Sequence, residues 1–428
     1  MPQKINALPL RLTADPTRVV VRPFHLALQG ARGAPSRTQR LADAVLALSD
    51  AEVMEGLNHV LAGFEARHWQ MRRVFRTRFD DIAHRLMLDP DSVGDERSQL
   101  LGAYFCHEYS YAAAALMNPS VVPHPDQSGL SRGSMRIVMS LRAVGEGHIS
   151  SIAFREGIIS EEGELHLAPE PPFATAADFH GDEEQDTVGP VKIHRHADSN
   201  LSGTVIFPIT AAQANGLEDL RLVAFTHDDG TREWLGTYTA YNGREIQSEM
   251  MRTSDFRSFS LCPLSGSAAR NKGMALFPRK VNGRYMMIGR QDGENLYLIQ
   301  SDNLLDWGEG QRILTPLHSW ELVQIGNCGA PIELDEGWLL LTHGVGAMRE
   351  YSIGAVLLDK ADPSKVLARS SKPILAASED EREGYVPNVV YTCGATRIGD
   401  QIFMPYGVAD SSVAFAFVGI SDMLSLMT

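Results

Sequence analysis

The sequence predicts a mainly β protein with a helical N-terminal region, and three observations lead there. From about Thr38 to Met117, apolar residues recur at helical spacing with polar residues between them. After "MNPSVVPHPDQSG" the texture changes to short β-type runs that continue to the end of the chain. Between those runs a signal recurs, Ser-Asp and then an apolar residue just after a strand, in "RTSDFRSF", "IQSDNLLDW" and "GISDMLSL". A turn repeated at such intervals suits a β-propeller, whose blades each pack on their neighbours around a central channel. A β-sandwich answers to the same pattern.

The elements follow in order. In "TQRLADAVLALSDAEVMEGLNHVLAGFEARHWQMRRVFRTRFDDIAHRL", Ser49 and Asp50 offer N-caps before "AEVMEGLNHVLAGF". "DPDSVGDE" then breaks the pattern before another helix, "RSQLLGAYFCHEYSYAAAALM", giving three or four helices. Strands are expected at "MRIVMSLRAV", "GTVIFPIT", "LRLVAFT", "WLGTYTAYNG", "RYMMIGR", "GWLLLTHGV" and "IFMPYGVA", each bounded by Gly, Asp, Asn or Pro. The division is residues 1–117, an N-terminal segment and helical extension, and residues 118–428, the strand-rich domain.

The 428 residues are 44% hydrophobic and 21% charged, a globular composition long enough for a large domain or two smaller ones. A formal net charge of −14 argues against nucleic-acid binding, which needs a basic face, but leaves room for a small anion in a local basic cluster. No apolar run reaches the length of a signal-peptide core or a membrane span, so a soluble, cytoplasmic protein without a membrane partner is expected. Cys106, Cys262, Cys328 and Cys393 lie far apart with no CxxC pair, which favours buried free thiols over a zinc site or a disulfide framework. Dinucleotide, Walker, HExxH and GxSxG motifs are missing.

Four constellations carry candidate chemistry. In "NGLEDLRLVAFTHDDG", Glu218 and Asp219 are adjacent, with Arg221 just beyond. An acid that protonates a leaving oxygen is held partly desolvated near other charge, so that its pKa rises toward the working pH, and Asp219 can be such a group. The plainer alternative is that Glu218 and Arg221 pair across a turn. The stretch "ARNKGMALFPRKVNGRYMMIGRQDGENLY" concentrates Arg270, Lys272, Arg279, Lys280, Arg284 and Arg290; it is either a solvated basic hairpin or a site where inward cations meet an anion such as phosphate. His343 ends the strand "GWLLLTHGV" and Tyr351 follows across a glycine-containing loop, so both can offer a polar tip at one end of a channel, although a histidine there is commonly structural. Asp410 interrupts an apolar run in "QIFMPYGVADSSVAFAF", where an acid binds sugar hydroxyls or caps a turn.

Taken together, "NPSVVPHP", "SLRA", "NGLEDLR", "NKGMALFPRKVNGRY", "GNCGAPIELDEGWLLLTHGV", "YSIGAVLLDKADPSKVLARSSKPIL", "EGYVPNVVYTCG" and "YGVAD" resemble glycoside hydrolase family 130. These are inverting β-mannoside phosphorylases and β-mannosidases built on a five-bladed β-propeller. The resemblance covers about the last three quarters of the chain, and the helical extension resembles that of the longer members, where it covers the active-site mouth or builds a dimer interface. An amphipathic helical layer of this kind is compatible with a homodimer.

The resemblance implies roles residue by residue. Asp219 stands where the family motif Glu-Asp-Pro-Arg places its general acid; Asn118, Arg142 and Asp410 match the residues that hold the sugar; Lys272, Arg290, His343 and Tyr351 match those that grip phosphate. Leu220 replaces the motif's proline, and Lys272 stands where some members use Arg. Glu146, His148 and Glu156 in "LRAVGEGHISSIAFREG" have no matched role, and a glutamate facing the anion pocket would serve a hydrolase as base. An inverting phosphorylase needs one acid plus cations, whereas an inverting hydrolase needs a second carboxylate. The expected reaction is therefore phosphorolysis of β-mannosides or β-mannooligosaccharides to α-mannose 1-phosphate, with inorganic phosphate as co-substrate and neither cofactor nor metal. An inverting β-mannosidase is the alternative, and a silent sugar-binding propeller a third reading.

Overall fold

The structure is a computed structural model that describes residues 5–28, 34–179 and 189–428. It is mainly β, and the chain divides into two compact units: Pro16–Tyr111 with Pro171–Ala176, and Met1–Asp15 with Ala112–Glu170 and Ala177–Thr428. The sequence boundary at residue 117 follows the end of the helical pattern, whereas the contacts join the first residues of the chain to the strand-rich unit.

The smaller unit holds helices α1 (Arg37–Leu46), α2 (Asp50–Phe64), α3 (Met71–Leu86) and α4 (Asp95–Tyr104) and an antiparallel pair of strands, Val19–Pro23 and Cys106–Ser110. Ser49 starts α2 through a capping box, accepting from the Glu52 backbone N–H while the Glu52 carboxylate accepts from that of Ser49. The buried faces are those the apolar spacing marks: Ala42 and Val45 on α1, Val53, Leu57 and Leu61 on α2, Phe75, Phe79 and Ile82 on α3, and Leu100 and Leu101 on α4.

The larger unit is a succession of antiparallel meanders. One runs Ala115–Pro123, Ser134–Val144, Ser150–Ser160, Leu165–Leu167, and another Gly216–Thr226, Arg232–Tyr241, Ile246–Thr253, Ser258–Pro263. These two belong to one sheet, joined in parallel where Gly216 meets Ser150. The next sheet orders Ala275–Leu276, Tyr285–Gly289, Leu296–Ser301 and Gln311–Leu314, and the one after it Gln324–Asn327, Trp338–Val345, Tyr351–Leu358 and Val366–Arg369. The last orders Val390–Tyr391, Gln401–Val408, Ser412–Gly419 and, from the opposite end of the chain, Ile5–Ala7.

The apolar clusters straddle successive meanders rather than filling one. Val223, Phe225 and Leu235 pack with Leu276, Met287 and Trp307; Phe277, Ile288 and Leu298 pack with Trp338, Leu340 and Val356; Leu339, Leu341 and Ile353 pack with Ile402, Met404 and Ala416. Each meander therefore buries its faces only against its neighbours. The Ser-Asp signals fall after the third strand of three of these groups, at Asp255, Asp302 and Asp422. At the first, the Asp255 carboxylate accepts from the backbone N–H groups of Arg257 (2.8 Å) and Ser258 (3.0 Å) and fixes the turn. The four cysteines are free thiols, with Cys262, Cys328 and Cys393 buried.

Candidate active site

The loop-and-bulge residues of the larger unit converge on Asp219. Along Gly216–Thr226 the pairing to Arg232–Tyr241 shifts, Glu218 facing Thr239 and Arg221 facing Thr237, so one extra residue is accommodated at a β-bulge. Asp219 takes that place with φ of 56°, a left-handed backbone that Asp tolerates better than most residues. Side chains of adjacent strand residues point to opposite faces. The bulge cancels that alternation, and both carboxylates meet one guanidinium: Arg142 Nη2 donates to Glu218 Oε1 at 2.7 Å and Nη1 to Asp219 Oδ1 at 3.2 Å.

Asn118 sits at an equivalent shift, between Met117 and Ser120 on Ala115–Pro123, with φ of 49°, and donates through Nδ2 to Asp219 Oδ1 at 2.7 Å. Lys272 Nζ donates to Glu218 Oε2 at 2.6 Å. Arg221 is buried and donates to the Asp219 carbonyl (2.9 Å), the Cys328 carbonyl (3.0 Å) and the Tyr391 hydroxyl (2.7 Å). Glu218 and Arg221 therefore do not pair with each other; the alternative reading of the motif fails because the bulge turns them to different partners.

Beyond Tyr391 lies the second half of the site. The Tyr391 ring meets His343 edge-on at 4.9 Å, and His343 stacks on Tyr351 at 5.9 Å. A Cβ at Gly326 would run into the His343 ring, so glycine is what lets the imidazole lie against that strand. Arg290 Nη1 is 3.4 Å from His343 Nε2, and Gln324, with its amide oxygen turned toward them, accepts from both. Arg290 Nε and both amide atoms of Asn327 are buried without a hydrogen-bond partner within the protein. Asp410 lies in the turn between Gln401–Val408 and Ser412–Gly419, with φ of 49°, within electrostatic reach of Asp219, Arg142 and Arg349.

All eight residues expected at the site thus fall in one connected constellation. The rest of the basic cluster does not: Arg279 is held by Glu333, Lys280 by Asp228 and Arg284 by Asp302. Glu156 is engaged by Ser202, whose hydroxyl donates to it at 2.9 Å. Gln324, Asn327 and Tyr391 are the participants that sequence reasoning passed over, and Glu218 and Arg221 enter it only as partners of each other. The signal that could have found the acid's neighbours is Asn or Asp interrupting an apolar strand, since Asn118, Asp219 and Asp410 all occupy left-handed backbone.

The electrostatics contradict one expectation. Burial alone would raise the Asp219 carboxyl, but Arg142, Arg221, the Asn118 hydrogen bond and Lys272 outweigh it and hold it down at about 2. Asp410 behaves oppositely: burial and the Asp219 charge push it up to about 6 against Arg142 and Arg349. Burial, Arg290 and Arg221 drive the His343 imidazole well below its ordinary range, so the ring is neutral. Among the described residues, no group of three or more His, Cys, Asp or Glu is arranged to hold a metal ion, and no helix is long and apolar enough to cross a membrane.

Residues 190–428, more than half of the chain, match the glycoside hydrolase family 130 model, described as beta-1,4-mannooligosaccharide phosphorylase. A 1,2-beta-oligomannan phosphorylase of Thermoanaerobacter sp. (strain X514) is 41% identical over 155 residues, 36% of this chain and 52% of that protein. A beta-1,2-mannobiose phosphorylase of Listeria innocua is 31% identical over 228 residues, 51% of this chain and 62% of that protein. The chain thus spans about half to two thirds of the length of the curated relatives it matches. Among solved structures, the Listeria innocua beta-1,2-mannobiose phosphorylase aligns with a TM-score of 0.50 at 24% identity, covering 73% of this chain and 92% of that one. A glycosyl hydrolase from Bacteroides ovatus aligns with a TM-score of 0.53 at 16% identity, covering 73% and 86%. The architecture is shared with these structures, and the family match over the strand-rich part places the chain in glycoside hydrolase family 130.

Proposed function

We propose that this protein is an inverting β-mannoside phosphorylase that cleaves β-mannosides or β-mannooligosaccharides with inorganic phosphate. Asp219 gives its proton to the glycosidic oxygen, directly or through a sugar hydroxyl, as the C1–oxygen bond breaks. Phosphate forms the new bond to C1 from the opposite face, and the products are α-mannose 1-phosphate and the shortened saccharide. Asn118, Arg142 and Asp410 hold the mannosyl ring, and Lys272, Arg290, His343 and Tyr351 hold phosphate. The names of the relatives support the substrate class. The observation that carries the reading is the cationic wall itself: a half-buried Arg290 whose buried Nε lacks a protein partner, beside Lys272 and Asn327, is a set of donors fit for an anion.

Residues 118–428, completed by Ile5–Ala7, form the catalytic domain on this reading, and the rest of residues 1–117 a segment with a helical extension. Dividing the largest sheet where Gly216 meets Ser150 leaves five groups of four to six strands, the last completed by Ile5–Ala7, which supports a five-bladed propeller closed by the N-terminal strand. A cytoplasmic enzyme using phosphate as co-substrate and needing no metal goes with the same reading. Product analysis of a β-mannoside panel with and without phosphate tests it. Mannose 1-phosphate is expected only with phosphate, and equal turnover to free mannose without it refutes phosphorolysis in favour of a β-mannosidase. Asp219→Asn is expected to lose roughly a thousandfold in turnover.

A further inference from the structure

Two turns of the larger unit share one build. Gly145–Ile149 follows Ser134–Val144, and Gly346–Glu350 follows Trp338–Val345. In the first, Gly145 N–H donates to the Ile149 carbonyl at 3.1 Å, and in the second Gly346 N–H donates to that of Glu350 at 2.9 Å. Each holds two successive left-handed residues, Gly147 (φ 68°) and His148 (φ 60°), or Met348 (φ 55°) and Arg349 (φ 58°). The second turn serves the site already described, since Arg349 lies over the Tyr351 ring at 5.9 Å and acts on Asp410. The first turn has no assigned role.

Its position is fixed by the acid's own support. Arg142, which grips Asp219, donates through Nε to Ser150 Oγ at 2.9 Å, one residue past the turn. His148 projects from it to Tyr385, with ring centroids 6.0 Å apart, planes 32° apart, and the tyrosine hydroxyl 3.3 Å from Nδ1. Tyr385 arrives from the other direction. Its N–H donates to Ser411 Oγ (2.6 Å) and the next N–H, Val386, to the Ala409 carbonyl (2.9 Å), so its loop lies on the turn that carries Asp410. Contacts thus run two ways from Asp219: through Arg221 and Tyr391 to His343 and Arg290, and through Arg142 and Ser150 to His148.

Inverting displacement needs nucleophile and leaving group on opposite faces of C1. With the anion-binding set at one end of this chain of contacts, the leaving saccharide belongs at the other. There two planar rings, tilted 32° to each other, stand exposed, Tyr385 at 54%. Aromatic rings with a polar edge suit a sugar, which offers C–H groups to a ring face and hydroxyls to a ring edge. We propose that His148 and Tyr385 form the acceptor platform, the surface on which the saccharide released in phosphorolysis, or accepted in synthesis, is stacked. This rests on the phosphorylase reading above.

Transfer from α-mannose 1-phosphate to mannose or β-mannobiose, followed as phosphate release, separates the two subsites. Tyr385→Ala and His148→Ala are expected to raise the KM for the acceptor about tenfold with the KM for mannose 1-phosphate within about twofold, while Tyr385→Phe, which keeps the ring, restores most of the acceptor affinity. An unchanged acceptor KM, or equal rises for donor and acceptor, overturns the platform. If the wild-type enzyme transfers mannose in neither direction, the functional reading itself has failed. Calorimetric titration of mannobiose onto wild type and Tyr385→Ala then decides separately, where equal affinity or no binding overturns the platform and selective weakening by the substitution upholds it.

Discussion

Asp410→Asn is expected to make the folded protein more stable while impairing its chemistry. Burial and the Asp219 charge lift the Asp410 carboxyl from an ordinary 3.8 to about 6. Because the folded-state value lies above the unfolded one, the folded protein binds this proton more tightly. The associated stability is present below about pH 4 and lost as pH rises through 6. The difference corresponds to about 3 kcal/mol at neutral pH as an upper figure. Asparagine keeps the shape, removes the charge and suits the left-handed backbone at this position, so the substitution recovers that energy without a new backbone cost. Urea unfolding followed at pH 4 and pH 7.5 is the assay. The variant's advantage should be small at the lower pH, reach on the order of 1–3 kcal/mol at the higher one, and come with reduced phosphorolysis. No advantage at pH 7.5, or the same advantage at both values, refutes the reasoning.

Lys272→Met removes a charge-assisted donor and should raise the phosphate KM by about 10–100-fold with the mannoside KM changed far less; initial rates against phosphate would expose an unaltered value. Tyr391→Phe strips the acceptor from the buried Arg221 guanidinium and should cost about 1–3 kcal/mol in urea unfolding, so an unchanged midpoint would mean the hydroxyl is not holding it. Leu220 is buried against Leu222 and Tyr238, and a Cβ on Gly236 would come within 2.7 Å of its Cδ1. Leu220→Ala should therefore cost roughly 2–5 kcal/mol and lower kcat by loosening the bulge that aims Asp219, whereas loss of stability with full kcat would separate the two.

What the sequence made legible was whatever has a local signature. The N-cap at Ser49 and the apolar spacing of α2 and α3 predict their helices, and the Ser-Asp signal at Asp255 marks a real turn because an aspartate binding the next backbone N–H groups is a local device. The pairing of Ile5–Ala7 with Ala416–Val418 has no such signature, since more than four hundred intervening residues separate partners whose only requirement is an open edge. At the site, the eight residues named from family resemblance do come together. The partners of Glu218 were misjudged, because alternation along an unbroken strand hides the bulge that turns it beside Asp219 toward Arg142. Tyr391 and Gln324 went unnoticed because their value lies in what they join, His343 to Arg221 and Arg290, and not in any spacing.

The low pKa of Asp219 bears on phosphorolysis against hydrolysis. Held low by Arg142, Arg221 and Lys272, the Asp219 carboxyl is ionised in the unliganded site and needs a change in its surroundings before it can hand on a proton. Five cations, Arg142, Arg221, Lys272, Arg290 and Arg349, stand against the three carboxyls of Glu218, Asp219 and Asp410, an excess of two positive charges. The imidazole of His343 is neutral and contributes none. A phosphate dianion has the charge that balances this excess. Once bound at Lys272 and Arg290 it competes with Asp219 for the same cations, and by the ordinary effect of a nearby anion it raises that carboxyl's affinity for a proton. Water brings no such charge. A bound phosphate would thus favour the proton that Asp219 needs to act as the acid in the proposed phosphorolysis.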